Sequence, residues 1–92
     1  MKITKEAVLN FSELFMEAEK RLDWHWNKCC DIFHRGEIIC SPENPRSRVM
    51  YMDDVDYYKN KASEGDENAM GYKLIHDIMR ENNVTELRIV TD

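Results

Sequence analysis

Apolar side chains recur in alternating steps of three and four along the first third of the chain: Val8, Phe11, Phe15, Ala18, Leu22, Trp26, Cys29 and Phe33. A period of about 3.6 residues places all of them on one stripe of a helix. Leu14, His25 and Ile32 widen that stripe on one side. Thr4 is positioned as an N-cap with Glu6 in the first turn, Gly36 follows Arg35 as a stop, and no Pro or Gly interrupts the run. The pattern predicts one long N-terminal helix from Thr4 to about His34. Such a rod measures about 45 Å, whereas a compact chain of this length makes a globule on the order of 30 Å across. The rod must bend or project. On the same helical wheel Trp24 falls opposite the stripe, among Glu13, Glu17, Lys20, Asn27 and Asp31. A Trp on a charged face calls for cover, either from a second segment of the same chain, such as the loop at 41–47, or from a subunit or partner; plain exposure is the third possibility.

Beyond Gly36 the patterning shortens. Glu37–Cys40 is a short β-prone run, residues 41–47 form a loop stiffened by Pro42 and Pro45, and Arg48–Asp53 reads as a second strand, so the two runs predict an antiparallel hairpin. Both faces of the second run are apolar, and either Val49 with Tyr51 or Met50 with Met52 can face the core. Asp53-Asp54 is placed to cap a short helix through Val55, Tyr58 and Ala62. Asp66 or Ser63 can cap the next helix, from about Glu67 to Glu81, which buries Met70, Gly71, Leu74, Ile75, Ile78 and Met79. Asn82-Asn83 ends it. Thr85–Thr91 is a last strand with Leu87 and Ile89 on one face. The expected fold is α+β: the long N-terminal helix and a second helix packed on a small, mostly antiparallel three-stranded sheet. The helix between the second and third strands also permits a parallel crossover and hence a mixed sheet.

Ninety-two residues suit one domain with a modest core. No stretch reaches the length of a membrane span and the first five residues lack a signal-peptide core, so a cytosolic protein is expected. Three cysteines, two of them adjacent (Cys29, Cys30), make a poor disulfide framework. Eighteen Asp and Glu oppose thirteen Lys and Arg. That balance argues against binding nucleic acid or anionic membrane by bulk charge, and it suits a basic protein partner as well as ordinary solubility.

His25 and Cys29 lie four residues apart, as do Cys30 and His34, a spacing at which two side chains on one helical face can reach one metal ion. The two pairs point about 100° apart on the wheel, and Cys40 is the only further thiol, so no closed four-ligand set is formed. A thiol nucleophile would also need an orienting group and an oxyanion site, neither of which has a signature here. Gly36, Gly65 and Gly71 make no phosphate-cradling loop. The expectation is a noncatalytic protein without metal or cofactor.

The least random feature is the acidic stretch Asp53, Asp54, Asp56, Glu64, Asp66 and Glu67, diluted only by Lys59 and Lys61 and interleaved with Tyr57 and Tyr58, with Tyr51 just before it. Acids at two successive helix starts favour the positive dipole ends without any partner. They can equally form a face that occupies a DNA-binding groove, meeting the Lys and Arg that otherwise grip phosphates.

In its opening Met1-Lys2-Ile3-Thr4-Lys5-Glu6-Ala7-Val8, its length and its acidic balance, the whole chain resembles the Arn family of anti-restriction proteins of T-even phages. The resemblance implies a homodimeric mimic of double-stranded DNA in the host cytoplasm. Its partner would be a basic host DNA-binding protein, either the McrBC restriction enzyme or the nucleoid protein H-NS, with no direct nucleic-acid or membrane contact. No family motif transfers residue by residue, so the acids named above rest on local charge alone. The competing reading is a small phage-type adaptor that binds a host protein through apolar surface around Trp24, with the charge incidental.

Overall fold

A helix runs from Glu67 to Glu81 where the periodicity places it, with Asp66 accepting from the Asn68 N–H as its N-cap. Asn82 and Asn83 close its far end, Asn83 in the left-handed conformation (φ 55°). The computed structural model describes residues 6–40, 43, 46–61 and 66–91. In chain order these form β1 (Glu6–Asn10), α1 (Phe11–Leu22), α2 (Trp26–Cys29), a π-wound turn (Cys30–Arg35), β2 (Ser47–Tyr51), α3 (Met52–Lys61), α4 (Glu67–Glu81) and β3 (Glu86–Val90). The fold is α+β, with helices on one side of a mixed three-stranded sheet of order β1-β3-β2. β1 runs parallel to β3 and β2 runs antiparallel to it, so the sheet is not mostly antiparallel.

The long N-terminal helix does not form. Val8 belongs to a strand and is 61% exposed, because its partner across the sheet is Arg88 on the solvent side. Asn10 turns the chain into α1, its side chain accepting from the Glu13 N–H at 2.9 Å. Thr4, the expected cap, lies outside the described residues. Asp23 then ends α1 in the left-handed conformation (φ 57°), its N–H and that of Trp24 closing on Glu19 and Ala18 carbonyls. His25 restarts the helix as an N-cap, its ring accepting from Lys28 N–H. The chain therefore bends, which is how about thirty residues fit a body of 41 × 31 × 27 Å.

The break has a packing cause. It rotates Trp24 from the polar side into the core, where it is 3% exposed and tilts against Phe33, with Lys28 over its ring. Trp26, which the stripe places inside, is instead 51% exposed and meets Phe15 edge-on. Cover of Trp24 thus comes from the same chain, while residues 41, 42, 44 and 45 of the expected covering loop lie outside the described residues.

The expected hairpin is absent as well. Residues 37–40 form no strand; Ile38 and Ile39 drop into the core after Glu37 turns with φ 56°. Their backbone is held by bonds to the Phe33 carbonyl and by the Arg48 guanidinium, which donates to the carbonyls of Glu37 and Ile38. β2 ends at Tyr51, and Asp53 and Asp54 lie inside the first turn of α3 rather than before it. Met50 faces the core with Leu87 and Ile89, while Tyr51 faces out. On α4 the buried stripe is Gly71, Leu74, Ile75, Ile78 and Met79, and Met70 is exposed.

Candidate functional site

α3 and α4 form an antiparallel pair. Asp56 lies 3.7 Å from His76 and the rings of Tyr58 and Tyr72 stack at 5.3 Å, so rising numbers on α3 meet falling numbers on α4. This decides where the acidic stretch goes. Asp53 and Asp54 sit exposed at the start of α3, at one end of the pair. Asp66 and Glu67 sit exposed at the start of α4, at the other end. α3 is ten residues long, about 15 Å at ~1.5 Å per residue. Glu64 lies outside the described residues.

Asp56 and Glu67 hold cations of the same chain. Asp56 pairs with Lys59 at 3.1 Å besides facing His76, and Glu67 pairs with Lys28 at 3.0 Å. Asp66 bonds the backbone of α4 through its side chain but keeps its charge at the surface. The acidic stretch is therefore not one patch but two exposed groups, with Asp56 and Lys59 between them. The basic residues involved, Lys28 and His76, come from other elements, and no local sequence signal announces them.

Tyrosines line the same side. Tyr51, Tyr57 and Tyr58 are exposed, Tyr57 and Tyr58 meet edge-on at 5.4 Å, and Tyr72 is half-buried beneath Tyr58. Burial pushes the Tyr72 hydroxyl above its ordinary pKa, so it stays protonated. A depression of about 130 Å³ opens between β2 and α3, lined by Arg48, Val49, Met50, Tyr51, Asp54 and Tyr58.

The thiol and imidazole groups are arranged differently from the helical wheel. His25 is a cap, and Cys29 is buried with its Sγ 3.9 Å from the Trp24 carbonyl. His34 faces Cys40 rather than Cys30, Nδ1 to Sγ 3.7 Å, and packs edge-on against Phe11 and Phe15. Burial raises the Cys40 thiol and lowers the His34 imidazole. Both neutral forms are favoured, the reverse of the thiolate–imidazolium pair of an activated nucleophile. Among the described residues no three His, Cys, Asp or Glu side chains are grouped to hold a metal ion.

Trp24, the candidate interface residue, is in the core and offers no ring to a partner; the exposed indole is that of Trp26. Among the described residues no helix is long and apolar enough to cross a membrane. Comparison of the chain with protein families, with curated proteins and with solved structures finds no match.

Proposed function

We propose that the protein is a noncatalytic inhibitor that imitates double-stranded DNA and occupies the DNA-binding surface of a basic host protein, acting in the host cytoplasm as a homodimer. The observation that supports this reading is the presentation of carboxylates at both ends of the α3–α4 pair. A separation of about 15 Å corresponds to roughly four steps of a DNA strand at ~3.4 Å each. Lys and Arg side chains aligned on phosphates accept carboxylates by the same charge-assisted hydrogen bonds. Asp54 and Asp66 are assigned the main contacts, with Asp53 beside Asp54 at the start of α3. Asp56 and Glu67 contribute less, because Lys59 and Lys28 neutralise them locally. Glu64 joins the assignment by its place in the sequence. The family resemblance points to two targets, the McrBC restriction enzyme and the nucleoid protein H-NS.

The test is displacement of labelled duplex DNA from each of these targets at two salt concentrations. Displacement should fade as salt rises, because exposed charge contacts are screened. The combined variant Asp53→Asn, Asp54→Asn, Asp66→Asn should displace at least about tenfold less well at low salt, the release of counterions scaling with the charges engaged. Asn caps a helix about as well as Asp, which keeps the Asp66 cap, and Asp53 and Asp54 are exposed in the first turn of α3. A variant that competes as well as the parent protein would sink the proposal.

A further inference from the structure

The pairing of β2 with β3 leaves one row of β2 backbone groups facing away from the sheet. The Met52 N–H bonds the Thr85 carbonyl and the Thr91 N–H bonds the Arg46 carbonyl. Both pairs flank and continue the register Ser47↔Val90 to Tyr51↔Glu86. In an antiparallel ladder such bonded pairs alternate, so Arg48 and Met50 also point their N–H and C=O groups at β3. Ser47, Val49 and Tyr51 then point theirs outward. β2 is an edge strand, the sheet order being β1-β3-β2, and among the described residues nothing bonds the outward groups of Val49 or Tyr51.

Natural edge strands are blunted by Lys, by Pro or by a covering element. Within β2 there is neither Lys nor Pro, and a depression of about 130 Å³ lies between Arg48–Tyr51 and the Asp54 and Tyr58 positions of α3. Its walls have a consistent chemistry. Tyr51, Tyr58 and Asp54 line one concavity, and residues of these types together hold an ammonium or guanidinium group by cation–π and ionic attraction. Arg48 also lines it, but its guanidinium donates to the carbonyls of Glu37 and Ile38. Asp53 adds a further negative charge at the same end of α3.

We propose that the free edge of β2 is a docking site for an extended lysine- or arginine-bearing segment of a partner protein. The segment adds to β2 as a fourth strand and seats one cationic side chain between Tyr51, Tyr58 and Asp54. Main-chain bonds supply affinity in this mode and the side-chain pocket supplies selectivity. The proposal shares Asp54 with the DNA-imitation reading and adds pairing of backbones, which that reading does not need.

The experiment is fluorescence anisotropy with a labelled peptide of alternating valine and lysine, against the full chain and two variants. Val49→Pro removes one outward N–H and places a ring on the open edge; it breaks no bond to β3, and Pro is tolerated on an edge strand in that position. It should weaken binding about tenfold or more. Asp54→Asn should weaken it several-fold at low salt, with the difference shrinking as salt rises. The same peptide N-methylated at alternate residues should bind as weakly to the parent protein as the unmodified peptide binds to Val49→Pro, which keeps the test decisive if that variant folds poorly. A valine–glutamate peptide should not bind. Equal binding of the methylated and unmodified peptides would overturn strand addition. Equal binding of the glutamate peptide would overturn the cationic pocket. Sedimentation that shows a dimer abolished by Val49→Pro would assign the edge to a second copy of this chain and overturn the proposal as well. Loss of DNA displacement on neutralising Asp54 is common to both readings, whereas the methylated peptide reads backbone pairing alone, so the two can fail separately.

Discussion

The bend at Asp23 makes a prediction whose sign separates the folded protein from an uninterrupted helix. Asp23 holds φ 57° and ψ 35°, between α1 and the restart at Trp26. In a helix interior Ala is more stable than Gly by about 1 kcal/mol, because Gly loses more backbone entropy. In the left-handed conformation the order reverses, since a Cβ collides with the following carbonyl at a cost of roughly 1–2 kcal/mol. Offsetting that cost against the entropy of Gly leaves Asp23→Gly more stable than Asp23→Ala by up to about 1 kcal/mol. The two structures therefore differ by as much as about 2 kcal/mol in this comparison, with opposite sign. For a chain of this size 1 kcal/mol moves the melting temperature by roughly 4–8 °C. Urea unfolding followed by far-ultraviolet circular dichroism reads the difference directly, provided the two variants share one m-value. If Asp23→Ala proves the more stable of the two, residues 11–35 run as one helix and the reasoning about Trp24 fails with it.

The two tryptophans give a second check. Trp24→Ala should cost about 3–5 kcal/mol, as for a buried aromatic, and Trp26→Ala about 1 kcal/mol or less, the edge contact with Phe15 being its main partner; equal or inverted costs in urea melts would return Trp26 to the core. The third concerns pH. Burial against Phe11, Phe15 and Cys40 holds the His34 imidazole below its ordinary value. The folded value is depressed, so the stability from the neutral ring is complete above the unfolded value of about 6.5. It is lost as pH falls through the lower folded value. His34→Gln should flatten the decline in stability between about pH 7 and pH 5, near the unfolded histidine value; an unchanged slope would mean that the ring titrates alike in both states.

The partition of the acidic stretch bears on how charge is used. A run of six carboxylates within fifteen positions looks like one field in the sequence. In the folded chain the α3–α4 pair separates it into two exposed groups, with Lys59 on Asp56 between them and Lys28 on Glu67 at one end. At the opposite end of α4, Arg21 is shared between Glu17 and Glu81, and its hydrogen bond holds the Glu81 carboxyl below the usual range. Net charge alone therefore says little about which surface attracts a basic partner; the distribution of its neutralising partners does.

What the chain's own pattern determined is what local physics can determine. α4 is legible from Asp66 to Asn83 because its apolar period, its N-cap and its left-handed stop all agree over one short span. β3 is legible because Leu87 and Ile89 alternate with outward residues, and α3 because acids and apolar spacing coincide. The acids of the candidate site could be named from the sequence for the same reason. Only the tertiary structure decided the rest. The period from Val8 to Phe33 fits a helix, but Glu6–Asn10 finds a parallel partner in Glu86–Val90, eighty positions away, and that pairing leaves no mark on local spacing. Asp23 carries no Gly or Pro signal; it bends because burying Trp24 against Phe33 outweighs the small strain of a left-handed aspartate. Ile38 and Ile39 read as a strand from their β-branched side chains, yet they are held by core burial and by Arg48 instead of by a neighbouring strand. Periodicity reports how a segment would bury itself alone, and it is silent on which distant segment arrives to change that.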